Sequence, residues 1–345
     1  MATSTISFKP KQIVKRLFAS LPDRARDVIT YRYGLGVETR RMTLDAIGKK
    51  YGITRERVRQ IENYALAMIR KSDEYKLEKA VFTEIESLLH AFGGIVVEDD
   101  FLGHISKDKS LQNHIHFLLV IGEPFKKRKE DDEFGHRWHV NEALAAQVEE
   151  ALRRLYTSLG NQDLLPETEM IQKFLAHLED VSERYKNQEI MRRWLALSKS
   201  IGKNALGDWG NVSSSNIKTK GMRDYAFLVI RKHGSPIHFR DVAKQITAMF
   251  NKKAHVATTH NELIKDPRFV LVGRGLYALA EWGYAPGIVR DVIRHVIVKN
   301  GPLTKEEVVA KVLKERYVKE NTIAVNLQNQ KYFKRDKAGK YTVAN

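Results

Sequence analysis

The stretch Thr54-Arg55-Glu56-Arg57-Val58-Arg59-Gln60-Ile61-Glu62 carries three arginines, two glutamates and a glutamine, and only Val58 and Ile61 in it are strongly apolar. At about 100° per residue, Val58, Ile61, Ala65 and Ile69 share one sector of roughly 80°. Arg55, Glu56, Arg59, Gln60 and Asn63 fall on the opposite side. Thr54 is placed to cap this helix. Just upstream, residues 43–52 read as a second short helix, with Thr43 as its N-cap and Gly52 as its stop. Two short helices across a glycine turn, the second rich in charge, form the helix-turn-helix pattern.

The polar face starts in the first turn, the part of such a helix that enters the major groove. Arginine suits guanine O6 and N7, glutamine suits adenine, and glutamate can accept from cytosine N4. Glu56 argues against a purely phosphate-binding helix, because a carboxylate there repels the backbone. Before the pair, residues 21–35 (LPDRARDVITYRYGL) supply an inward stripe of Val28, Ile29 and Tyr33, with Pro22 suited to a first helical position.

The chain has 345 residues, enough for several small domains. Lysine and arginine exceed aspartate and glutamate by 59 to 42, for a net charge of +17. A balance that basic points to an acidic polymer as partner and says nothing about fold. The charge is uneven. Residues 1–71 hold 16 basic and 6 acidic side chains, 72–200 hold 17 and 24, and 201–345 hold 26 and 12. A basic head and a basic tail therefore flank an acidic middle. There is no cysteine, which removes disulfides and thiolate chemistry. No run approaches 18 apolar residues and the N-terminus lacks a signal-peptide core, so the expectation is a cytoplasmic, nucleoid-associated protein without membrane contact.

The head resembles a known module. The run TLDAIGKKYGITRERVRQIENYALAMIRK, with LPDRARDVITYRYGL before it, is similar to region 4 of housekeeping-type sigma-70 factors. The similarity covers about residues 9–72 and is most specific over 43–70. It implies a helical domain that binds the −35 promoter element in double-stranded DNA and the β flap of the RNA polymerase core. By the resemblance Arg55, Glu56, Arg59 and Gln60 contact bases, while Arg32 and Leu44 lie against phosphates. Region 4 closes a sigma factor but opens this chain, and nothing here resembles the segment that melts the −10 element. A transcription regulator is expected rather than a stand-alone sigma factor.

The tail repeats itself. Pro236 recurs 66 residues later as Pro302, Val242 as Val308 and Ile246 as Val312. After a two-residue contraction Leu263 matches Leu327, Phe269 matches Phe333, Gly275 matches Gly339 and Tyr277 matches Tyr341. Each copy reads as helix, turn, capped helix, helix and short hairpin, the order of a winged helix, and Thr304 with Glu307 forms a capping box. Fainter copies lie upstream. In one, Leu165-Pro166 opens a helix and Trp194 to Trp209 has the outline of a wing; in the other, Gly93-Gly94, Phe125, Gly135 and Trp138 repeat the pattern loosely. The wing aromatics Trp138, Trp209, Tyr277 and Tyr341 read as core plugs.

The expected fold class is thus mainly α with small β wings: a helix-turn-helix head at 1–75, then a tandem array of winged-helix units at 76–140, 141–215, 216–286 and 287–345. The unit at 216–286 resembles the HARE-HTH winged helix of the RNA polymerase delta subunit. The likeness rests on Pro236, His238, Phe239 and the wing from Arg268 to Trp282, and it implies a transcription setting. In this unit Lys252, Lys253, Arg268 and Arg274 are the candidate phosphate contacts, with His255, Thr258 and Thr259 at the start of the third helix; such contacts position a protein without specifying sequence.

His114-x-His116 and His136-x-x-His139 lack the cysteine partners of a structural zinc site. The clusters Glu98–Asp100 and Glu130–Glu133 imitate a two-metal site, but consecutive carboxylates splay apart and Lys126–Lys129 adjoins the second cluster, so it reads as a mixed-charge wing. No catalytic residue, metal, cofactor or small-molecule substrate is expected. Two other readings stay open: a polymerase-associated interaction protein, and a nucleoid architectural protein with little sequence preference.

Overall fold

The computed structural model describes residues 6–178, 181–284 and 287–344. The chain forms two compact units, residues 1–202 with 209–212, and residues 203–208 with 213–345. Helices dominate both, with small antiparallel sheets.

The first unit opens with α1 (Pro10–Leu17), α2 (Asp23–Tyr33), α3 (Leu44–Tyr51) and α4 (Arg55–Lys71). Pro22 is the N-cap of α2, one position before the one expected of it. Thr43 and Thr54 cap α3 and α4 by accepting from Ala46 N and Arg57 N, at 3.2 and 3.1 Å. Between them Gly52 takes φ 62, and a Cβ on Gly48 would lie 2.6 Å from the Ile53 carbonyl oxygen. Both positions therefore need glycine for the turn to close this tightly.

Behind the head come α5 (Asp73–Leu77), α6 (Lys79–Ala91), β1 (Ile95–Val97), α7 (Glu98–Ile105), α8 (Lys109–Ile121), β2 (Lys126–Arg128) and β3 (Arg137–His139). The sheet order is β1-β3-β2, and Val96 pairs with Trp138. Next are α9 (Glu142–Ser158), α10 (Glu167–Ala176), α11 (Gln188–Leu195), β4 (Ile201–Lys203) and β5 (Trp209–Asn211). Trp194 belongs to the last turn of α11 and is fully buried, so it is no part of a wing; the hairpin starts only at Ile201. Leu165 bridges Trp209 through bonds of 2.9 and 2.8 Å.

The cores do not respect the expected boundaries. Ile13, Leu17, Ile29, Ala65 and Ile69 of the head sit in one cluster with Ile85, Leu89, Phe101, Phe117, Leu118 and Trp138. Arg70 near the end of α4 donates to the carbonyls of Ile121 and Val120, at 3.1 and 2.8 Å. Ile95 and Phe134 in turn join the cluster built by α9–α11. Segments of about 60 residues bury a modest share of their surface and are marginal alone, and sharing cores adds to that burial. Val28, Ile47 and Val58 form a cluster local to the helix-turn-helix.

The second unit holds α12 (Met222–His233), β6 (Ile237–His238), α13 (Phe239–Phe250), α14 (Val256–Lys265), β7 (Phe269–Leu271) and β8 (Leu276–Leu279), with sheet order β6-β8-β7. Then follow α15 (Val289–Asn300), α16 (Lys305–Glu315), α17 (Glu320–Leu327), β9 (Phe333–Arg335) and β10 (Tyr341–Val343). The positions matched at the 66-residue offset occupy equivalent places. Val242 and Val308, and Ile246 and Val312, are all fully buried. Ile237 pairs with Tyr277, and Leu303 bridges Tyr341. The Thr304–Glu307 capping box is present, with bonds of 2.8 and 3.3 Å. Trp138, Trp209 and Tyr277 are buried, as expected of core plugs, whereas Tyr341 is half-buried.

Candidate nucleic-acid interface

In the first two turns of α4 Val58 is sealed inside, while Arg55, Glu56, Arg59 and Gln60 are all exposed. The Arg59 guanidinium grips both Glu56 oxygens, at 2.9 and 2.6 Å. That hydrogen bond is the main reason the Glu56 carboxyl is held below its ordinary range. Arg57 donates to Gln60 at 3.1 Å. The Arg55 side chain makes no hydrogen bond or ion pair among the described residues. Exposed pairs such as Glu56–Arg59 are weak and salt-screened, so they can be exchanged for base edges.

The inward face holds a residue that the helical sector leaves out. Glu62, one turn beyond Val58, is 8% exposed and accepts from the Tyr33 hydroxyl at 2.8 Å and from Arg32 Nε at 3.3 Å. Burial, followed by the charge of Glu62, pushes the Tyr33 phenol well up. The i+4 spacing from Val58 is the available signal, overshadowed by the charge-rich context. Arg32 also donates to the Met42 carbonyl at 3.2 Å, so its guanidinium is engaged in the fold. The Leu44 side chain packs on the Val28, Ile47 and Val58 cluster, which leaves its backbone at the start of α3 as the only part able to meet a phosphate.

The loop between α2 and α3 is pinned from behind. Asn113 of α8 is fully buried and donates to the carbonyls of Gly34 and Thr39, at 3.0 and 2.8 Å, while Arg41 donates to Asn113 Oδ1 at 2.9 Å. Arg41 also lies 3.8 Å from Glu98. Glu98 is buried, with Trp138 Nε1 at 2.8 Å and Lys127 Nζ at 2.5 Å. Asp99 and Asp100 point to solvent on the first turn of α7. The cluster is therefore a helix start with one inward carboxylate.

In the second unit the candidate phosphate contacts separate. Lys253 and Arg274 are exposed, and Lys252 lies over the Tyr225 ring at 5.0 Å. Arg268 instead turns inward, to Asp266 at 2.7 Å, Asp224 at 3.1 Å and Asn216 at 3.2 Å. It braces the fold. Thr259 is buried and donates to the His255 carbonyl at 3.0 Å, while Thr258 and His255 remain exposed.

The paired histidines serve different neighbours. His114 contacts the Ser110 carbonyl at 2.7 Å, His116 lies 3.5 Å from Glu98, His136 accepts from Glu130 N at 2.9 Å, and His139 lies 3.1 Å from Glu142. No group of three or more metal-binding side chains converges among the described residues. In the acidic middle, carboxylates neutralise the bases: Arg137 and Arg128 share Glu149 at 2.6 and 2.5 Å, Arg153 meets Glu133 at 2.8 Å, and Lys199 meets Glu130 at 2.5 Å.

Burial is the leading cause that lowers His114, His116 and His139 from the ordinary imidazole value of 6.5. Groups with a depressed folded pKa stabilise the fold above their unfolded value and lose that contribution as pH falls. The first unit is therefore expected to lose stability as pH drops below about 6.5, before ordinary carboxylates titrate near 4.5. Urea midpoints at about pH 7.5 and pH 5.5 check this: the midpoint falls at the lower pH, and His116→Gln with His139→Gln flattens the difference.

Residues 17–71 match the family described as Sigma-70, region 4. Over 57 residues the chain is 47% identical to RNA polymerase sigma factor RpoS of Coxiella burnetii. Over 55 residues it is 44% identical to RNA polymerase principal sigma factor HrdD of Streptomyces griseus, and to that of Streptomyces viridifaciens. Each similarity spans 16% of this chain and 16% of the relative's length. No helix among the described residues is long and apolar enough to cross a membrane.

Proposed function

We propose, from the sigma-70 region 4 domain at residues 17–71, that this protein is a sequence-specific DNA-binding regulator of transcription initiation. The observation that carries this reading is the first two turns of α4, where Arg55, Glu56, Arg59 and Gln60 stand exposed together on a helix fixed from behind. They read a −35-type element through the major groove. The Leu44 N–H, Lys252, Lys253 and Arg274 supply phosphate contacts, and Arg32 and Arg268 support the fold instead.

The recurring order of helix, short strand or bridge, two helices and hairpin supports four winged-helix units behind the head, at 76–140, 141–215, 216–286 and 287–345, the third of the HARE-HTH type. Such an array suits a nucleoid-associated protein that works beside bacterial RNA polymerase, with the β flap as the head's polymerase contact. The protein uses no cofactor and performs no catalysis.

Selection of bound sequences from a random duplex pool, at about physiological salt, tests the reading. Wild type should enrich a −35-like hexamer, and Arg59→Ala should lose about 10- to 100-fold of the discrimination at one position, as expected for one bidentate pair. Equal retention of unselected DNA by both proteins, with no motif, would instead favour the architectural reading.

A further inference from the structure

Twelve large apolar or aromatic side chains are exposed among the described residues, and four of them, Leu271, Ile288, Leu313 and Tyr317, gather around one cavity of the second unit. Such side chains scattered singly need no explanation, whereas a group of them lining a concavity marks a place where something binds. The cavity measures about 850 Å³, inside the range of roughly 300–1,000 Å³ that small-molecule sites occupy.

Three segments enclose it, and they are fastened to one another. The β7–β8 turn, Val272 to Leu276, forms one wall. The chain that leaves α16 runs beside it, with Tyr317 N donating to the Val272 carbonyl at 2.7 Å. A Cβ on Gly273 would lie 3.0 Å from the Tyr317 carbonyl oxygen, so glycine lets the two backbones pack this closely. The third wall is the turn from Gly287 to Val289, tied in by the Arg316 guanidinium, which donates to the Gly287 carbonyl. Walls bonded in this way stand before an occupant arrives, which lowers the ordering cost of binding. Closure on three sides suits one compact molecule better than a continuing chain.

The charges on these walls are of one sign. Arg274 and Lys319 are exposed and form no ion pair among the described residues. Arg316 is 4% exposed, and burial draws its guanidinium below the ordinary arginine value. Glu315 and Asp291, whose charges reach Arg316, do not line the cavity, and no other described carboxylate does. An anion set against Arg316 would offset part of its desolvation and gain charge-assisted hydrogen bonds.

We propose that this cavity binds a small amphipathic organic anion, its apolar body covering Leu271, Ile288 and Leu313 and its carboxylate, sulfonate or phosphate held by Arg316, Lys319 and Arg274. The site does not depend on the reading of α4. An occupied site withdraws Arg274 from the phosphates of DNA.

Two fluorescent probes with the same aryl body test this, anilinonaphthalenesulfonate and the uncharged N-phenylnaphthylamine, each titrated into the full-length chain at about physiological salt. The sulfonate should saturate at one molecule per chain and bind at least about 10-fold more tightly than the neutral probe, the effect of one hydrogen bond to a charged group. Arg274→Ala/Lys319→Ala should erase most of that preference and leave the neutral probe's affinity unchanged. Leu271→Ser/Leu313→Ser should weaken both probes by about 10-fold, through the apolar area withdrawn from the contact. Lys334→Ala/Arg335→Ala removes two bases outside the cavity and should change neither affinity. All substituted side chains are exposed, and unchanged thermal melts confirm intact folding. Equal affinity for the two probes, several weak sulfonate sites, or binding that survives both cavity variants overturns the proposal. Equal losses in the two basic double variants would trace the sulfonate to net charge and overturn it as well.

Discussion

Trp194→Ala is expected to destabilise the first unit by about 3–5 kcal/mol, the range for truncating a fully buried tryptophan. The indole is fully buried between Phe174 and Tyr185, with ring centroids 6.4 and 5.8 Å away, and its Nε1 donates to the Gly93 carbonyl at 3.2 Å. It thus joins the end of α11 to the turn before β1. Gly93 has φ 114, and a Cβ there would lie 2.7 Å from Nε1, so the close approach of the indole to this turn requires glycine. Urea unfolding followed by fluorescence reads the loss, because Trp138 and Trp209 remain in the same unit as reporters. Trp194→Phe keeps most of the packing and should cost less than half as much. Equal midpoints for wild type and the alanine variant would refute this account of the core.

Glu149→Ala should cost about 3 kcal/mol, for a different reason. Glu149 is 4% exposed and holds Arg137, itself 3% exposed, at 2.6 Å, together with Arg128 at 2.5 Å. Removing one partner of a buried pair leaves the other charge desolvated and uncompensated. Arg137 keeps Asp131 at 3.0 Å and the carbonyls of Lys129 and Gly135, which places the effect at the low end of the range for such pairs. Glu149→Gln retains the acceptor oxygen and should lose less. High salt should not rescue the alanine variant, because screening does not reach a buried site. A salt-dependent loss would show that the pair behaves as a surface one.

Local signals in the sequence are legible where the structure is itself local. Thr43, Thr54 and Thr304 cap the helices they precede, Gly52 ends α3, and the outward sector of α4 is exposed as its spacing implies. The 66-residue repeat aligns buried positions with buried positions because the same layer of side chains recurs in both copies. Contacts between distant segments set what the sequence hides. Nothing near Glu62 announces that Tyr33 and Arg32, about 30 positions earlier, will receive its carboxylate. Arg268 has the look of a surface base until Asp224 and Asn216 fold around it. Trp194 has the look of a wing residue because short apolar runs such as Trp194 to Leu197 suit strands and buried helix ends alike. The head looks separable because composition shifts near residue 72, yet its apolar residues continue into the next core.

That continuity makes α4 a cantilever. Its 17 residues extend about 25 Å; the outer turns carry Arg55 to Gln60, while the inner ones, through Ala65, Ile69 and Arg70, are built into the same body as α8 and Trp138. A groove that pulls or twists the outer turns loads that body directly, with no tether to take up the slack. If the tip takes up DNA as proposed, little entropy goes into immobilising a swinging arm, and strain imposed on the tip is delivered to residues far from it.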